Sequence, residues 1–432
     1  MKLYIAEKSA QAADIAKILG GGKRENGHIL LKTGDVVTWA VGHLLDQMEP
    51  KEYHAEWGPW RWDTLPMVPE KWGKKPVPEK QDQLRVIKQL LGKATSVVIA
   101  TDAGREGELI ARELLDFYGY RGKVERLWLS ALTEADIRRA LSKLLPGATK
   151  EPLYRAALAR QHADWLYLSL SRAASLSLGF NAPIGRVQTP TLAMVVKRDL
   201  EIEAFNAKPY YELEAVVNTA NGHTLTLTHS PKEEQRIYDL KQAKTLMAKA
   251  EKAIGPLAVT HKAGADGAPL PFSLSTLQRE ADRVLGLGAA ETLKLAQELY
   301  EAKVITYPRT DCSHLSSGLK NDVAPTLTAL TGISTLAPSV KTLQSMGVVM
   351  RDSLFDDSKL TDHHGIIPTT APKPLAGVQA KLYELVAIRF MQALAPDRLF
   401  NATRVEMDAN GVPFSVSGRV ITSPGWSAIR CS

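Results

Sequence analysis

A tyrosine and an arginine that could act together on a phosphate lie in the segment KVITYPRTDC, residues 303–312. The phenol of Tyr307 has an ordinary pKa of about 10, so attack on phosphorus at neutral pH needs a base or a nearby cation. Arg309 follows two residues later, so in an extended segment the two side chains lie on the same side, and a planar guanidinium suits a phosphate. The alternative is an ordinary tyrosine in front of a proline-containing turn.

Three carboxylates form a second candidate group. Glu7 ends the first strand-like run, Asp102 ends the apolar run SVVIATD, and Glu106 lies one helical turn further on. Ligands of open parallel sheets bind outside the carboxyl ends of the strands, so Glu7 and Asp102 are expected to face one crevice. Repulsion among the carboxylates should raise at least one pKa unless a cation such as Mg²⁺ neutralises them. Alternatively, Asp102 caps the next helix and Glu106 occupies its first turn.

The elements that would position these residues follow an α/β pattern in the first third of the chain. KLYIAE is typical of a strand, residues 9–19 of a helix and residues 28–42 of a hairpin. SVVIATD is a continuous apolar run, which indicates a parallel strand buried on both faces. The proline-rich residues 65–80 are expected to lack regular structure. Together these patterns predict a βαβ-rich domain at residues 1–150.

Helical and β-rich segments are expected to alternate in the rest of the chain. Residues 151–206 have a helical pattern, residues 207–265 and 400–432 are strand-like, and residues 266–399 are again largely helical. This order predicts a small sheet domain whose chain leaves, builds the helical domain that carries Tyr307, and then returns. The tyrosine and the carboxylates therefore lie in different domains, and the site should assemble only where these two domains touch.

The composition is that of a folded protein with a basic excess. Of 432 residues, 54 are Lys or Arg and 47 are Asp or Glu, which gives a net charge of +7 and a moderate preference for polyanionic partners. Cys312 and Cys431 lack CxxC spacing, so neither a disulfide framework nor a zinc ribbon is expected, and a reducing cytoplasm fits. No apolar run approaches membrane-spanning length, and no GxxxxGK[ST] motif for ATP is present.

Six sequence blocks stand in the same order as in type IA DNA topoisomerases, which the chain resembles from Met1 to about Trp426. The blocks VGHLLDQ, LPMVPEKW and ALARQHADWLYLSLSRA are similar to the bacterial topoisomerase III branch in particular. The six shared blocks are YIAEK, TDAGREGELIAR, IGRVQTPTL, FSLSTLQREA, VITYPRTD and DHHGIIPT.

The resemblance implies a multidomain fold with α/β, α and β parts. Residues 1–150 would form a Rossmann-like Toprim domain, and the central domains would form a toroid-like gate. Residues 151–206 would be the first half of a helical DNA-groove domain, residues 207–265 and 400–432 a β-rich hinge domain, and residues 266–399 the helical domain with the nucleophilic tyrosine.

The resemblance also assigns catalytic roles. Tyr307 matches the nucleophile that forms a 5′-phosphotyrosine link with one DNA strand, and Arg309 matches the arginine that contacts the scissile phosphate. Glu7 matches a glutamate implicated in proton transfer and metal binding, and Lys8 a lysine near the scissile phosphate and the leaving 3′-oxygen. His363 matches a histidine that supports the site; His364 is the adjacent alternative and is otherwise a core histidine.

The same resemblance implies a Mg²⁺ site and a groove for single-stranded DNA. Glu7, Asp102 and Glu106 match the acidic metal ligands, whereas Gly104 replaces the second aspartate of the DxDxE pattern, which puts the number of bound ions in doubt. Further DNA-contacting candidates are cations, polar groups and aromatics that suit phosphates and bases. They are Trp60, Trp62, Arg160, Asp164, Trp165, Arg172, Arg186, Val187, Gln188 and Thr189, with Asp164 otherwise a structural partner of Arg160 and the tryptophans otherwise core residues.

The expected function is that of an ATP-independent, topoisomerase III-like type IA enzyme. It would cut one strand of single-stranded or underwound DNA, pass another strand and reseal, so relaxing negative supercoils or decatenating. A cytoplasmic monomer associated with the nucleoid or a plasmid is expected, with a helicase as candidate partner. The chain stops at PGWSAIRCS, before the segment that completes the groove domain in the family, so a truncated core is expected. The alternatives are a non-catalytic remnant that binds single-stranded DNA, and a Toprim nuclease or primase.

Overall fold

The computed structural model describes residues 1–231, 236–360 and 363–430; Cys431 and the Thr361 and Asp362 of the DHHGIIPT region lie outside this part. The chain divides into two compact units. The first contains Met1–Lys197, Pro271–Ala329 and Phe355–Val386. The second contains Arg198–Leu270, Leu330–Leu354 and Ala387–Ser432.

The strands and helices are numbered here in chain order. The strands are β1 (Lys2–Ala6), β2 (Gly22–Glu25), β3 (His28–Leu31), β4 (Val36–Trp39), β5 (Leu45–Gln47), β6 (Lys74–Pro76), β7 (Ser96–Ala100), β8 (Lys123–Arg126), β9 (Leu145–Pro146), β10 (Glu214–Asn218), β11 (Thr224–His229), β12 (Ala258–Asp266), β13 (Arg398–Asp408) and β14 (Pro413–Ser423). The α-helices are α1 (Ser9–Ile18), α2 (Pro50–Tyr53), α3 (Gln81–Leu91), α4 (Arg105–Phe117), α5 (Glu134–Leu141), α6 (Glu151–Leu178), α7 (Gln188–Glu203), α8 (Leu240–Ala250), α9 (Leu274–Leu285), α10 (Ala289–Glu301), α11 (Val323–Thr331), α12 (Ala337–Met346) and α13 (Gly377–Ala393).

A mixed sheet of order β2-β3-β4-β1-β7-β8-β9 forms the centre of the N-terminal part. Strand β1 pairs in parallel with β4 on one side and β7 on the other, and β7 pairs in parallel with β8. The prediction of a buried parallel strand at SVVIATD is therefore confirmed, as is the antiparallel hairpin of β3 and β4. The side chains of β1 and β7 are buried because helices cover both faces, so every apolar position of these strands reaches a core.

The expectation that residues 65–80 lack regular structure is wrong in two places, at a short 3-10 helix over Pro78–Lys80 and at strand β6. Strand β6 pairs antiparallel with β5, so that Leu45 lies opposite Pro76. Pro76 is at the end of this short two-stranded ribbon, where a missing backbone N–H costs little.

A buried ion pair fixes the end of β7, from which Asp102 projects. Arg126 and Glu108 are both fully buried, and Nε of Arg126 donates to Glu108 Oε1 at 2.5 Å. The remaining guanidinium hydrogens bond to backbone carbonyls, including those of Thr101 at 2.9 Å and Asp102 at 2.8 Å. Because a buried guanidinium needs both a charge partner and filled donors, this network holds the Thr101–Asp102 backbone in one position.

The second unit is built on a five-stranded antiparallel sheet of order β10-β11-β14-β13-β12. Strand β13 pairs along nearly its whole length with β12 and with β14. Strands from before and after the inserted helical segment thus share one sheet. Its small core contains Leu227, Met407, Val412 and Phe414.

Helix α7 leaves its apolar side chains in solvent. Leu192 and Met194 are 63% and 67% exposed, and none of the helix residues is buried. Over the residues that the structure describes, every helix is too short or too polar to cross a bilayer.

Candidate active site

Two carboxylates meet at the carboxyl edge of the parallel strands. Ala6 of β1 lies opposite Ala100 of β7, so the residues that follow both strands emerge side by side. Glu7 Oε2 accepts a hydrogen bond from the backbone N–H of Asp102 at 3.2 Å. The sequence prediction that Glu7 and Asp102 share one crevice is therefore confirmed. The capping alternative is wrong for Asp102, because helix α4 begins after Gly104.

Gln11, which sequence reasoning missed, ties the two acidic residues together. Its Nε2 donates to Asp102 Oδ1 at 3.2 Å, and its Oε1 accepts from the backbone N–H of Glu7 at 3.0 Å. The side chain is only 4% exposed. A buried glutamine four residues after Glu7 on the first turn of α1 was the available signal. Its amide orients the Asp102 carboxylate and fixes the Glu7 backbone without adding charge.

Burial and mutual repulsion shift the acidity of this pair. Desolvation, followed by the charge of Asp102, raises the pKa of Glu7 to about 7. Desolvation also raises the pKa of Asp102, against the opposing charges of Lys8 and Arg126. The predicted rise in at least one carboxyl pKa is thus confirmed, and Glu7 is poised to exchange a proton near neutral pH.

Glu106 is held apart from that pair. Its carboxylate lies 3.7 Å from His43 Nε2 and 3.8 Å from Arg160 NH1, and the contact with His43 lowers its pKa. His43 also lies 3.0 Å from the buried Glu113, and the two glutamates raise the histidine pKa to about 9. Within residues 1–231, 236–360 and 363–430, no three His, Cys, Asp or Glu side chains are arranged as a metal-binding group. The predicted three-carboxylate cluster is therefore corrected to a pair with Glu106 nearby, because His43 draws Glu106 toward itself.

Tyr307 is buried against this acidic edge. Its backbone N–H donates to Ser130 O at 3.0 Å, and its ring packs edge-on against Tyr300 with centroids 5.3 Å apart. A β-carbon at Gly104 would lie 4.0 Å from the Tyr307 hydroxyl oxygen, so the missing second aspartate corresponds to a position directly beside the phenol. Burial and the charge of Asp102 raise the pKa of Tyr307 above its ordinary value.

The expectation that Tyr307 and Arg309 lie on one side of a strand is not met. Ile305 makes an isolated bridge to Pro368, and Tyr307 and Arg309 belong to no strand. Tyr307 is consequently 8% exposed, whereas Arg309 points to solvent. The guanidinium still acts on the phenol, because its charge lowers the pKa of Tyr307 against the larger effect of burial.

His363, another predicted residue, borders the tyrosine. The His363 ring lies 4.5 Å from the Tyr307 ring, and its Nε2–H donates to the backbone oxygen of Ala103. Burial lowers the pKa of His363 to about 4, so the imidazole is neutral. Lys8 forms an ion pair with Glu301, the last residue of helix α10. His364 is buried, and its Nδ1 is 2.7 Å from Gly365 O, as the core-histidine alternative expects.

A wide depression of about 770 Å³ borders helices α6 and α7 and contains several of the predicted DNA-contacting residues. Asp164 pairs with Arg186 at 2.8 Å, whereas Arg160 reaches Glu106. The proposed structural pairing of Asp164 with Arg160 is therefore wrong, since the loop after α6 brings Arg186 closer. The depression is lined by Arg160, Asp164, Gly185, Arg186, Val187, Gln188, Thr191, Leu192 and Val195.

The other DNA-binding candidates divide into structural and exposed residues. Thr189 accepts from the backbone N–H of Gly185 at 3.0 Å and so shapes the loop. Arg172 is buried, donates to the Trp57 carbonyl and lies 5.7 Å from the Trp60 ring, so its placement contradicts a role as a surface phosphate contact.

The tryptophans divide in the same way. Trp165 belongs to a buried aromatic cluster and is a core residue, as the alternative reading held. Trp60 and Trp62 are 48% and 58% exposed, which leaves their ring faces accessible to bases.

Comparison with known proteins defines the class. Residues 2–132 match the Toprim domain family, and residues 148–432 match the DNA topoisomerase family. The chain belongs to the DNA topoisomerase family and carries an N-terminal Toprim domain.

Individual relatives point to one branch of that family. The chain is 36% identical over 441 residues to DNA topoisomerase 3 of Bacillus subtilis, and 36% identical over 453 residues to that of Salmonella typhimurium, with 99% of this chain covered in both cases. The full-length topoisomerase I of Thermotoga maritima is 25% identical, with a TM-score of 0.69 over 99% of this chain and 67% of that one. The resemblance to type IA enzymes close to topoisomerase III is thus confirmed. The chain spans 59% of the Bacillus subtilis relative and 69% of the Salmonella typhimurium relative.

Proposed function

We propose that this chain carries the cleavage and rejoining centre of an ATP-independent, topoisomerase III-like type IA DNA topoisomerase. The observation that carries the proposal is the burial of Tyr307 against the Glu7–Asp102 pair, with its hydroxyl beside Gly104. The charges of the two carboxylates oppose ionisation of the phenol, so they assist a nucleophile only when they hold a cation or move a proton.

In the proposed reaction the Tyr307 oxygen attacks the phosphorus of one DNA strand. A bond forms between that oxygen and phosphorus while the phenol proton is lost to solvent, the bond to the 3′-oxygen breaks, and the 3′-oxygen leaves with a proton. Glu7 is suited to donate that proton, because its pKa of about 7 keeps part of the population protonated at neutral pH. Rejoining is the reverse step. The phosphotyrosine link keeps one phosphodiester in place of another, so no ATP is required.

Glu7 and Asp102 are the residues that would hold Mg²⁺. Both acids have a raised pKa, and Gln11 already fixes an oxygen of Asp102; carboxylate oxygens are the donors that a hard cation prefers. When bound, Mg²⁺ would neutralise the pair and stabilise charge on a phosphate. Glu106 would join them on release from His43.

Cations and the neutral histidine complete the proposed site. Arg309 points to solvent and lowers the pKa of Tyr307, so its guanidinium is placed to contact a phosphate that approaches the phenol. Lys8 would exchange Glu301 for the phosphate near the leaving oxygen. His363 fixes the loop at Ala103 and packs on the tyrosine ring, which orients the nucleophile.

The proposed substrate is single-stranded or underwound DNA in the depression between α6 and α7. Exposed cations there suit phosphates, and exposed Trp60 and Trp62 suit stacked bases. Relatives named DNA topoisomerase 3 support this choice. Relaxation of negative supercoils or decatenation would follow, by a cytoplasmic, DNA-associated monomer with a helicase as candidate partner.

Trapping a covalent adduct on a labelled oligonucleotide tests the proposal. The wild type with Mg²⁺ is expected to form a protein–DNA adduct that survives denaturation, and Tyr307→Phe is expected to form none. Tyr383→Phe is the matched control, because it removes another buried phenol hydroxyl. An adduct from Tyr307→Phe would refute the nucleophile. Binding without any wild-type adduct would favour the non-catalytic remnant.

A further inference from the structure

Helix α10 ends in an unusual conformation shortly before the proposed nucleophile. Lys303 has φ of 70°, in the left-handed region that favours glycine. Its N–H donates to Tyr300 O at 2.8 Å, and the N–H of Val304 donates to Leu299 O at 3.1 Å. These two hydrogen bonds form a Schellman cap. A lysine at this position is strained relative to glycine, so contacts of its side chain must hold it there.

An ion pair provides that contact. Lys303 Nζ lies 2.6 Å from Asp14 Oδ1 on helix α1, and the two side chains are only 29% and 26% exposed. The carbonyl of Lys303 also accepts from Thr369 Oγ1 at 2.6 Å. A second ion pair of opposite polarity, Lys8 with Glu301, joins the same two helices. The end of α10 is therefore attached to α1 by two charge pairs, of which only the first is remote from the phosphate-binding residues.

The segment after this cap leads directly to the nucleophile. The tyrosine segment is defined here as residues 303–307. The backbone N–H of Tyr307 donates to Ser130 O, which bonds this segment to the N-terminal domain. The preceding amide, that of Thr306, instead donates to Ile367 O on its own side at 2.9 Å. Movement of the tyrosine segment away from α1 must break the first bond and can keep the second.

We propose that Asp14 and Lys303 are positioning residues. Their ion pair holds the tyrosine segment where the Tyr307 N–H bonds to Ser130 O, and so sets how often that hydrogen bond opens. The effect of this ion pair on DNA cleavage and rejoining rests on the proposed function, whereas its effect on the position of Tyr307 does not. The pair acts on Tyr307 through the backbone of residues 303–307 and touches no reacting atom.

Amide hydrogen exchange, resolved to single residues, tests this positioning without DNA. Asp14→Asn is expected to speed exchange of the Tyr307 amide roughly twofold to fivefold, the range for loss of a partly exposed ion pair, and to leave the Thr306 amide unchanged. Glu151→Gln is the matched control, because it breaks the 2.7 Å pair with Arg155 within one helix. Equal Tyr307 exchange in Asp14→Asn and wild type would overturn the proposal.

Two substitutions of Lys303 separate charge from backbone strain. Lys303→Met keeps the strain and loses the charge, so it should match Asp14→Asn, and combining the two should add nothing further. Lys303→Gly loses the charge but relieves the left-handed strain, so it should show the same fast Tyr307 exchange with a higher melting temperature than Lys303→Met. Wild-type protection in Lys303→Gly would show that the ion pair does not position the segment.

The catalytic arm follows from the same variants. If opening is favoured, rejoining slows, and Asp14→Asn is expected to accumulate roughly twofold to fivefold more covalent adduct than wild type at low salt. The difference should shrink at high salt, which screens the pair in the wild type. Absence of adduct from the wild type would refute the proposed function, while the exchange result would still decide the positioning role. Unchanged adduct in Asp14→Asn, with faster exchange, would refute the link to catalysis.

Discussion

Replacing Glu7 with glutamine is expected to stabilise the metal-free protein as the pH rises. Glu7 is buried beside Asp102, and its carboxylate form is destabilised by desolvation and by that neighbouring charge. Glutamine keeps an oxygen that can accept the Asp102 N–H bond, which Glu7 accepts at 3.2 Å, but carries no charge. The substitution therefore removes the electrostatic cost and leaves the packing close to that of the wild type.

The size of the effect follows from the pKa of Glu7. A rise from 4.5 to about 7 corresponds to about 3 kcal/mol of unfavourable interaction with the ionised form. The pKa of Glu7 in the folded protein lies above its unfolded value of 4.5. The wild type therefore has its full stability below pH 4.5, and it loses the stability contributed by protonated Glu7 as the pH rises through 7. Glu7→Gln should thus match the wild type at about pH 4 and exceed it by about 3 kcal/mol at about pH 8.

Urea denaturation of both proteins across this pH range, in EDTA, measures the difference. Glu70→Gln, at an exposed glutamate, is the control and should follow the wild type at every pH. Adding Mg²⁺ should reduce the advantage of Glu7→Gln, since a cation stabilises the wild-type carboxylates more. A difference between Glu7→Gln and wild type that is independent of pH would refute the reasoning.

Three further changes test other parts of the molecule. Glu108→Gln leaves the buried Arg126 without its charge partner and should lower the free energy of unfolding by about 3 kcal/mol or more; a urea midpoint equal to that of wild type would contradict this. Trp60→Ala should weaken oligo-dT binding roughly tenfold in fluorescence anisotropy and leave the melting temperature unchanged. Trp165→Ala should instead lower the melting temperature. The reverse pattern would contradict the assignment of Trp60 to DNA and Trp165 to the core. Asp102→Asn should abolish the rise in melting temperature that Mg²⁺ gives the wild type, and an undiminished rise would exclude this residue as a ligand.

Local patterns predicted the elements, and the rule for parallel strands then predicted the acidic pair. The apolar run before Asp102 specifies a buried parallel strand, and parallel strands bring their carboxyl ends to one edge, so Glu7 and Asp102 meet. The predicted pKa shift follows from the same proximity.

Contacts between distant segments could not be read from the sequence. His43 draws Glu106 away from the other acids, and Arg186 takes the partner that helical spacing gave to Arg160. Arg172 faces inward and donates a hydrogen bond to the backbone carbonyl of Trp57. None of these partners lies within a few residues along the chain, so periodicity and spacing carry no signal for them.

The resting geometry of the site opposes the proposed attack by Tyr307. Tyr307 is buried, and both burial and the charge of Asp102 favour the neutral phenol over the phenolate that attacks best. Only Arg309 acts in the other direction, and Lys8 is occupied by Glu301. A cation on the acidic pair would offset the charge of Asp102, and a phosphate would bring Arg309 and Lys8 to the oxygens where charge develops. The site is therefore expected to be inert to small nucleophile-directed reagents and to gain reactivity only when DNA and metal arrive together.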